Sequence, residues 1–414
     1  MSNYIEKVYL VLFSLIPVSI IIGAAASLTN ILAVILVFSF FSLKNFKIGF
    51  FSSREITLLF ALYIYLIFNS FIAIDFGMSA ARNFGFLRFI ILFIAINYFF
   101  KLSNKKGNFT HFWTIVLIIV SLDSYLEFFT GKNVLGYGEI YGDRIVSFFK
   151  DEPIVGGYIN GFIFIIFGFY FDRYFEKDIR YKILLFSLLL LLFLTVLITG
   201  ERSNSIKLLL GLFLFFTLNM QLNLKTKIIS FIGIFVLFFL ILSNSNYLKS
   251  RYYGGFVYHI IDSQRLASFI ENQEYFELYR SGYAIFKDYP YFGVGNKNYR
   301  VITIRDSDFK DDYEISTHPH QIYIELISEH GAIGTVIILS IIFTLMFKNL
   351  KIIILSRNSV QLGCFVYLLI NFIPLLPGGS FFSDFPSTLF WLNLSIMYAC
   401  NPSTNIFKAK HIQK

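Results

Sequence analysis

Charge is scarce in this chain. Only 15% of its 414 residues are Asp, Glu, Lys or Arg, against about 25% in a typical soluble domain, too few to clothe a water-facing surface of ordinary size. Cysteine is scarcer still. Cys364 and Cys400 both sit in apolar stretches, which excludes a disulfide framework and a cysteine-based zinc site. No internal repeat or low-complexity segment runs along the chain, so collagen-like and coiled-coil readings fall away with the soluble and disordered ones. What is abundant is apolar: 56% of residues are hydrophobic, 20% are aromatic, and mean hydropathy is +0.67. A polytopic membrane protein is the class left standing.

A bilayer core of about 30 Å takes about 20 apolar residues per helix. Twelve stretches qualify, near 8–27, 31–43, 56–74, 84–100, 112–129, 153–171, 183–199, 203–219, 227–243, 321–347, 359–376 and 386–400. The expected fold is therefore all-α, with about twelve transmembrane helices. The first stretch ends in Ala24-Ala25-Ala26, but it is longer than the roughly 7 to 15 residues of a leader's apolar region and reads as an uncleaved helix. With the N-terminus inside, the cytoplasmic segments collect 19 Lys and Arg, against five on the short outer loops (Arg82, Lys132, Arg144, Lys150 and Arg202). The positive-inside rule then puts both termini in the cytoplasm. The net charge of +9 is topological and implies no nucleic-acid partner.

Four regions follow: helices 1 to 9 over 1–243, an external loop over 244–320, helices 10 to 12 over 321–400, and a cytoplasmic tail over 401–414. A connection as long as 244–320 is usually functional or disordered, and its aromatic density argues for order. Phe276, Tyr279, Tyr283 and Phe286 recur at spacings of 3, 4 and 3, which predicts an amphipathic helix lying on the membrane surface. Asp-Tyr-Pro-Tyr-Phe-Gly-Val-Gly (288–295) then reads as a turn.

Charged groups at the outer face are few enough to weigh singly. Arg202 lies in the tight turn Thr199-Gly200-Glu201-Arg202-Ser203-Asn204, at the outward N-terminus of an inward-running helix. Free N–H groups and the helix dipole, with Ser203 as the expected cap, make such an end receptive to phosphate-like anions. The plain alternative is a snorkelling arginine paired with Glu201. Arg280 falls about one residue off the aromatic stripe, at headgroup depth, where pairing with Glu277 or Glu274 on a solvated face is the default.

The stretch Ser316-Thr317-His318-Pro319-His320-Gln321-Ile322-Tyr323-Ile324-Glu325, continuing to Gly334, opens the tenth span. Pro319 suits a first helical turn, which would stand His320 at an outward helix N-terminus, where the dipole favours the neutral base. Tyr323, Glu325, Glu329 and His330 follow within three turns, and Gly331 and Gly334 would admit a close neighbour. A metal at His318-x-His320 lacks a fixed third ligand, and a capping histidine is the bland alternative. Arg82 and Arg88, at the entry to the fourth span, are further candidates for lipid phosphate; snorkelling would explain the first and an intrabundle ion pair the second.

Two arginines and a histidine at the outer ends of these segments fit one chemistry. A sugar on a lipid diphosphate already has a good leaving group, so transfer needs cations for the diphosphate and a base for the attacking hydroxyl. A glycosidase-type acid is dispensable.

Thr-Gly-Glu-Arg-Ser (199–203), Tyr-Arg-Ser-Gly-Tyr-Ala-Ile-Phe-Lys-Asp-Tyr-Pro-Tyr-Phe-Gly-Val-Gly (279–295) and His-Pro-His-Gln-Ile-Tyr-Ile-Glu-Leu-Ile-Ser-Glu-His-Gly-Ala-Ile-Gly (318–334) together resemble the bacterial O-antigen ligase and polymerase group of membrane glycosyltransferases. The resemblance implies a GT-C-type fold with its large loop between helices 9 and 10. It implies work at the periplasmic face of the inner membrane, on undecaprenyl-diphosphate-linked glycans, without metal or nucleotide sugar. On the matching positions it implies that Arg202 and Arg280 hold the diphosphate and that His320 serves the acceptor, with His318, Arg88, Arg82, Tyr323 and Glu329 as weaker substrate-binding candidates. The family usually has Asn after its histidine; here Gln321 keeps the amide, and His318 leaves open which imidazole acts. The preferred reading is a ligase that moves a glycan to lipid A-core. The alternative is a polymerase that joins lipid-linked repeats, and a glycolipid flippase is the rival from another class, although polar or broken helices near mid-membrane would mark a transporter.

Overall fold

The computed structural model describes residues 3–42, 53–103, 107–138, 144–150, 152–252, 274–305 and 313–407. The middle of the external loop and the tail from 408 lie outside them. Within the described residues the chain is all-helical: α1 (Asn3–Ser14), α2 (Ile16–Ile22), α3 (Ala24–Ser42), α4 (Arg54–Phe71), α5 (Phe76–Gly85), α6 (Leu87–Leu102), α7 (Asn108–Thr130), α8 (Val155–Tyr174), α9 (Ile179–Ile198), α10 (Arg202–Leu218) and α11 (Leu224–Asn244) are followed by α12 (Glu274–Asp288), α13 (Tyr299–Arg305), α14 (Ile322–Phe347), α15 (Leu350–Leu355), α16 (Ser359–Ile370) and α17 (Asp384–Ala399). Every stretch read as a span has a helical counterpart. Seven of the described helices are long and apolar enough to cross a membrane, or eight if α1 and α2, bent by 42°, form one span. The break between the first two stretches falls at Gly23, not near 28–30.

The bundle is held by packing that small residues permit. A Cβ on Gly168 would come within 2.4 Å of the Ser359 carbonyl oxygen, and one on Gly363 within 2.4 Å of the Phe164 oxygen, so α8 and α16 meet backbone to backbone as close membrane helices do. Trp113, Trp391, Tyr158 and Phe162 fill the interior with almost no exposure. Buried amides bond between helices: Asn393 donates to the Gly161 carbonyl at 2.9 Å, and Gln361 donates to the Met397 carbonyl at 2.9 Å. Leu224, Ile229, Ile232, Phe239 and Leu240 of α11 stay exposed, an apolar face suited to lipid.

Several of the connections read as external bond to one another. The Ile74 amide donates to the Val294 carbonyl at 3.1 Å, Ile145 to Thr199 at 3.3 Å, and Gly378 to His320 at 2.7 Å. The predicted helix over the aromatic stripe is α12. It packs on the start of α14, where a Cβ on Gly282 would lie 2.3 Å from Ile324 Cγ2.

The turn at 288–295 docks into α14 itself. That helix is broken at Gly331, whose φ of 62° and ψ of −172° are open only to glycine. Across the break the Ala332 and Ile333 amides donate to the Pro290 and Tyr291 carbonyls at 2.8 and 3.1 Å. The Val294 and Gly295 amides donate to the Ser328 and Glu329 carbonyls at 3.0 and 2.9 Å. A Cβ on Gly331 would sit 2.4 Å from the Phe292 amide nitrogen. The close neighbour expected at this glycine is thus the backbone of the turn, and at Gly334 it is Tyr65.

Candidate functional site

The site starts at the Thr199–Arg202 turn. Glu201 occupies the N-cap position of α10 without a capping side-chain bond, so Ser203 is not the cap that its place in the sequence suggested. The Glu201 carboxylate accepts from the Gly156 amide and from Asn204 Nδ2, which ties the turn to the start of α8. Two arginines from distant segments join Arg202. Arg251 Nε donates to the Gly200 carbonyl at 3.2 Å, and Arg144 arrives through the bond from Ile145 to Thr199. Both lie within electrostatic reach of Arg202, as do the phenols of Tyr275 and Tyr252. The supports of Arg144 are carboxylates: Glu127 accepts from the Val146 and Ser147 amides at 3.0 and 2.6 Å.

His320 is brought to this turn in two ways. Tyr275, at the start of α12, meets its ring edge-on, with centroids 5.6 Å apart, and the same phenol is an electrostatic neighbour of Arg202. Lys207, one turn and a half below Arg202 on α10, brings its Nζ to 3.3 Å from where a Gly378 Cβ would be, and the Gly378 amide holds the His320 carbonyl. The backbone of His320 is left-handed, φ 56°, a conformation that a non-glycine residue keeps only when its surroundings impose it. The helix behind it opens at Ile322, beyond the proline. Gln321 is the N-cap, its Oε1 accepting from the Tyr323 and Ile324 amides at 2.7 and 3.0 Å. Pro319 lies outside the helix, and His320 precedes the cap.

The His318 ring packs against that of His320 with centroids 3.9 Å apart. Its Nδ1 pairs with the Thr317 hydroxyl at 2.9 Å, whereas Nε2 is buried with no partner. Burial, with His320 and Arg300 beside it, pushes the His318 imidazole down to about 3, so it is neutral at any physiological pH.

The other candidates separate. Arg280 is exposed and makes no hydrogen bond or ion pair to a described residue; it sits about 7.5 Å along the helix from Tyr275 at 1.5 Å per residue, on the side away from α14. Arg88 pairs with Asp384 and lies 4.6 Å over the Phe89 ring, the intrabundle ion pair anticipated for it. Arg82 Nη1 reaches the Ser380 hydroxyl at 3.5 Å. The Tyr323 hydroxyl donates to the Phe372 carbonyl at 2.8 Å. Glu329 accepts from the Lys297 and Tyr299 amides at 2.8 and 3.1 Å, which fixes the turn ahead of α13. Arg144 and Arg251 carry no motif in the sequence, and only the bonds to Thr199 and Gly200 reveal them; Lys207 is a rare charge within an apolar run, with nothing beside it in the sequence to say what it meets.

Cations that outnumber nearby carboxylates, linked through Tyr275 to an imidazole, can hold a diphosphate and relay a proton from a hydroxyl. Residues 186–339 match the model of the family described as O-antigen ligase. The match runs from α9 into α14 and takes in Arg202, Arg251, Arg280, His318 and His320, in agreement with the resemblance read from the sequence. No curated protein matches the chain.

Proposed function

We propose that this chain is an O-antigen ligase, an inverting glycosyltransferase of the bacterial inner membrane that crosses it twelve times, with both termini in the cytoplasm and the site at the periplasmic face. The observation that carries the reading is the gathering of Arg144, Arg202 and Arg251 at one helix start, joined through Tyr275 and through Lys207 and Gly378 to His320.

In this reading the donor is a glycan on undecaprenyl diphosphate. Arg202, with Arg144 and Arg251, binds the diphosphate and stabilises the charge that grows on it as the bond to the anomeric carbon breaks. Arg280, unencumbered on the outer face of α12, closes over the same group. The acceptor is a sugar hydroxyl of lipid A-core. Its oxygen attacks the anomeric carbon from the side opposite the diphosphate, its proton passes to His320, and undecaprenyl diphosphate leaves with the bonding electron pair. His318, neutral and packed on His320, fixes the orientation of that ring. No step calls for a metal or a nucleotide.

Deletion of the gene tests the reading. A ligase leaves finished polymer on the carrier lipid and lipid A-core without glycan. Cores bearing a single repeat would assign the chain to polymerisation instead, and an unchanged glycan ladder would end both.

A further inference from the structure

A second cluster of cations adjoins the histidine pair, with Arg300 and Arg82 both electrostatic neighbours of His318. Lys297 and Arg300 project from the turn and first coil of α13, and Arg82 from α5. These segments, more than two hundred residues apart, are bonded into one platform: Asn296 Nδ2 donates to Asn83 Oδ1 at 2.6 Å, and Asn298 Nδ2 to the Asp75 carbonyl at 3.3 Å. Glu329 accepts from the Lys297 and Tyr299 amides, which holds Lys297 at a left-handed φ of 66°. Arg82 reaches Ser380, two residues from the Gly378 amide that holds His320.

None of the three cations is within ion-pair distance of a carboxylate among the described residues. The carboxylates nearby are occupied, Glu329 by the amides above and Glu325 by the Ser380 hydroxyl and the Phe381 amide; Asp384 is paired with Arg88. Meanwhile Arg300 Nε and His318 Nε2 are both buried without a partner, a state that costs free energy unless a ligand completes it. Burial and the proximity of Arg82 hold the Arg300 guanidinium below its ordinary value, and the same causes, with Arg300 added, act on Lys297.

We infer that Arg82, Lys297 and Arg300 form a subsite for an anionic substituent, a carboxylate or a phosphate, on the acceptor sugar whose hydroxyl is presented to His320. This rests on the transfer reading above and adds the class of acceptor. The cluster adjoins His318, so the anion belongs to the reacting sugar or its neighbour and not to a headgroup several sugars away. Arginine suits the task because its planar fork pairs with both oxygens of a carboxylate or phosphate.

The experiment compares acceptors on the purified full chain in nanodiscs with lipid-linked donor. Synthetic oligosaccharides ending in glucuronic acid, in glucose 6-phosphate or in glucose are supplied, and their binding is also measured without donor. The wild-type protein is expected to favour at least one charged acceptor over the neutral one by about tenfold or more in kcat/KM, carried by KM, consistent with a charge-assisted contact. Arg300→Gln and Arg82→Gln should each reduce that preference severalfold. Which charged acceptor is favoured separates carboxylate from phosphate. Equal use of all three overturns the inference and leaves the transfer reading intact. Charge-selective binding that Arg300→Gln abolishes, with no transfer to any acceptor, upholds the subsite and defeats the transfer reading. A dependence on anionic nanodisc lipid in place of acceptor charge assigns the cluster to headgroups and overturns the inference.

Discussion

Replacing Gln321 by alanine tests whether the left-handed backbone of His320 is held for catalysis. Gln321 is 4% exposed, and its amide oxygen serves two helix-start N–H groups, those of Tyr323 and Ile324. Loss of an N-cap costs about 0.5–2 kcal/mol, and a buried donor left unpaired costs about 1–3 kcal/mol. A working figure of about 2 kcal/mol follows. Because the cap adjoins His320, that cost falls on the arrangement that presents the imidazole, and 2 kcal/mol corresponds to roughly a 30-fold lower rate of transfer. Gln321→Asn restores the cap with a residue that ranks among the best in this position, and should return activity to within severalfold of the wild type. The assay is glycan transfer by equal amounts of purified protein, with helix content checked by circular dichroism. A wild-type rate for Gln321→Ala, or a Gln321→Asn protein worse than the alanine variant, refutes the link between the cap and His320.

Gly331→Ala should prevent the 288–295 turn from docking, since the new Cβ meets the Phe292 amide nitrogen at 2.4 Å in a backbone conformation closed to alanine; thermal unfolding in detergent is expected to drop by several degrees, and an unchanged midpoint would contradict the interlock. Arg251→Gln and Arg144→Gln should each raise the donor KM about tenfold, the worth of one charge-assisted contact, and unaltered donor KM values would remove them from the diphosphate site. His318 has its folded value pushed down to about 3, below the roughly 6.5 of an unfolded histidine, so the unfolded chain binds the proton first. Stability from this group is present above about pH 6.5 and is lost as the pH falls from there towards 3. The unfolding midpoint should therefore fall less steeply between pH 7 and 5 in His318→Gln than in the wild type, and parallel curves would sink the assignment.

Much of the architecture is legible in the chain because lipid imposes a simple rule: backbone polar groups must be satisfied within each helix, so apolar runs announce helices one by one. Each of the twelve runs has its helix, but length is less legible. The run at 359–376 yields a helix of only 12 residues, Ser359–Ile370, with Asn371 at its C-cap, whereas the run at 386–400 yields Asp384–Ala399, 16 residues that start early behind Ser383 at the N-cap. Arg202 and His320 stand out locally, one in a turn too tight for an ordinary loop and the other beside a proline and a capping amide. Arg144 and Arg251 do not. Arg144 is delivered by a backbone bond beside it and Arg251 by its own side chain on a carbonyl, each between segments about fifty residues apart, and no spacing in either segment records the partner. The glycine pair of the tenth span pointed to a close neighbour but not to which one, since docking of residues 290–295 into a broken helix is a matter of backbone bonds that side-chain patterns do not encode. His320 does stand at the start of this helix, directly before its cap, but Pro319 does not open it: Gln321, with an acceptor able to reach two amides, does.

The most direct test of the site is a transfer reaction with the purified chain, lipid-linked glycan, lipid A-core and EDTA, measuring both the new glycosidic bond and the undecaprenyl diphosphate released. The account predicts equal amounts of the two products from the wild type, unaffected by the chelator. It predicts loss of both in Arg202→Ala and His320→Ala proteins that still fold. Product formed at the wild-type rate by either variant would contradict it.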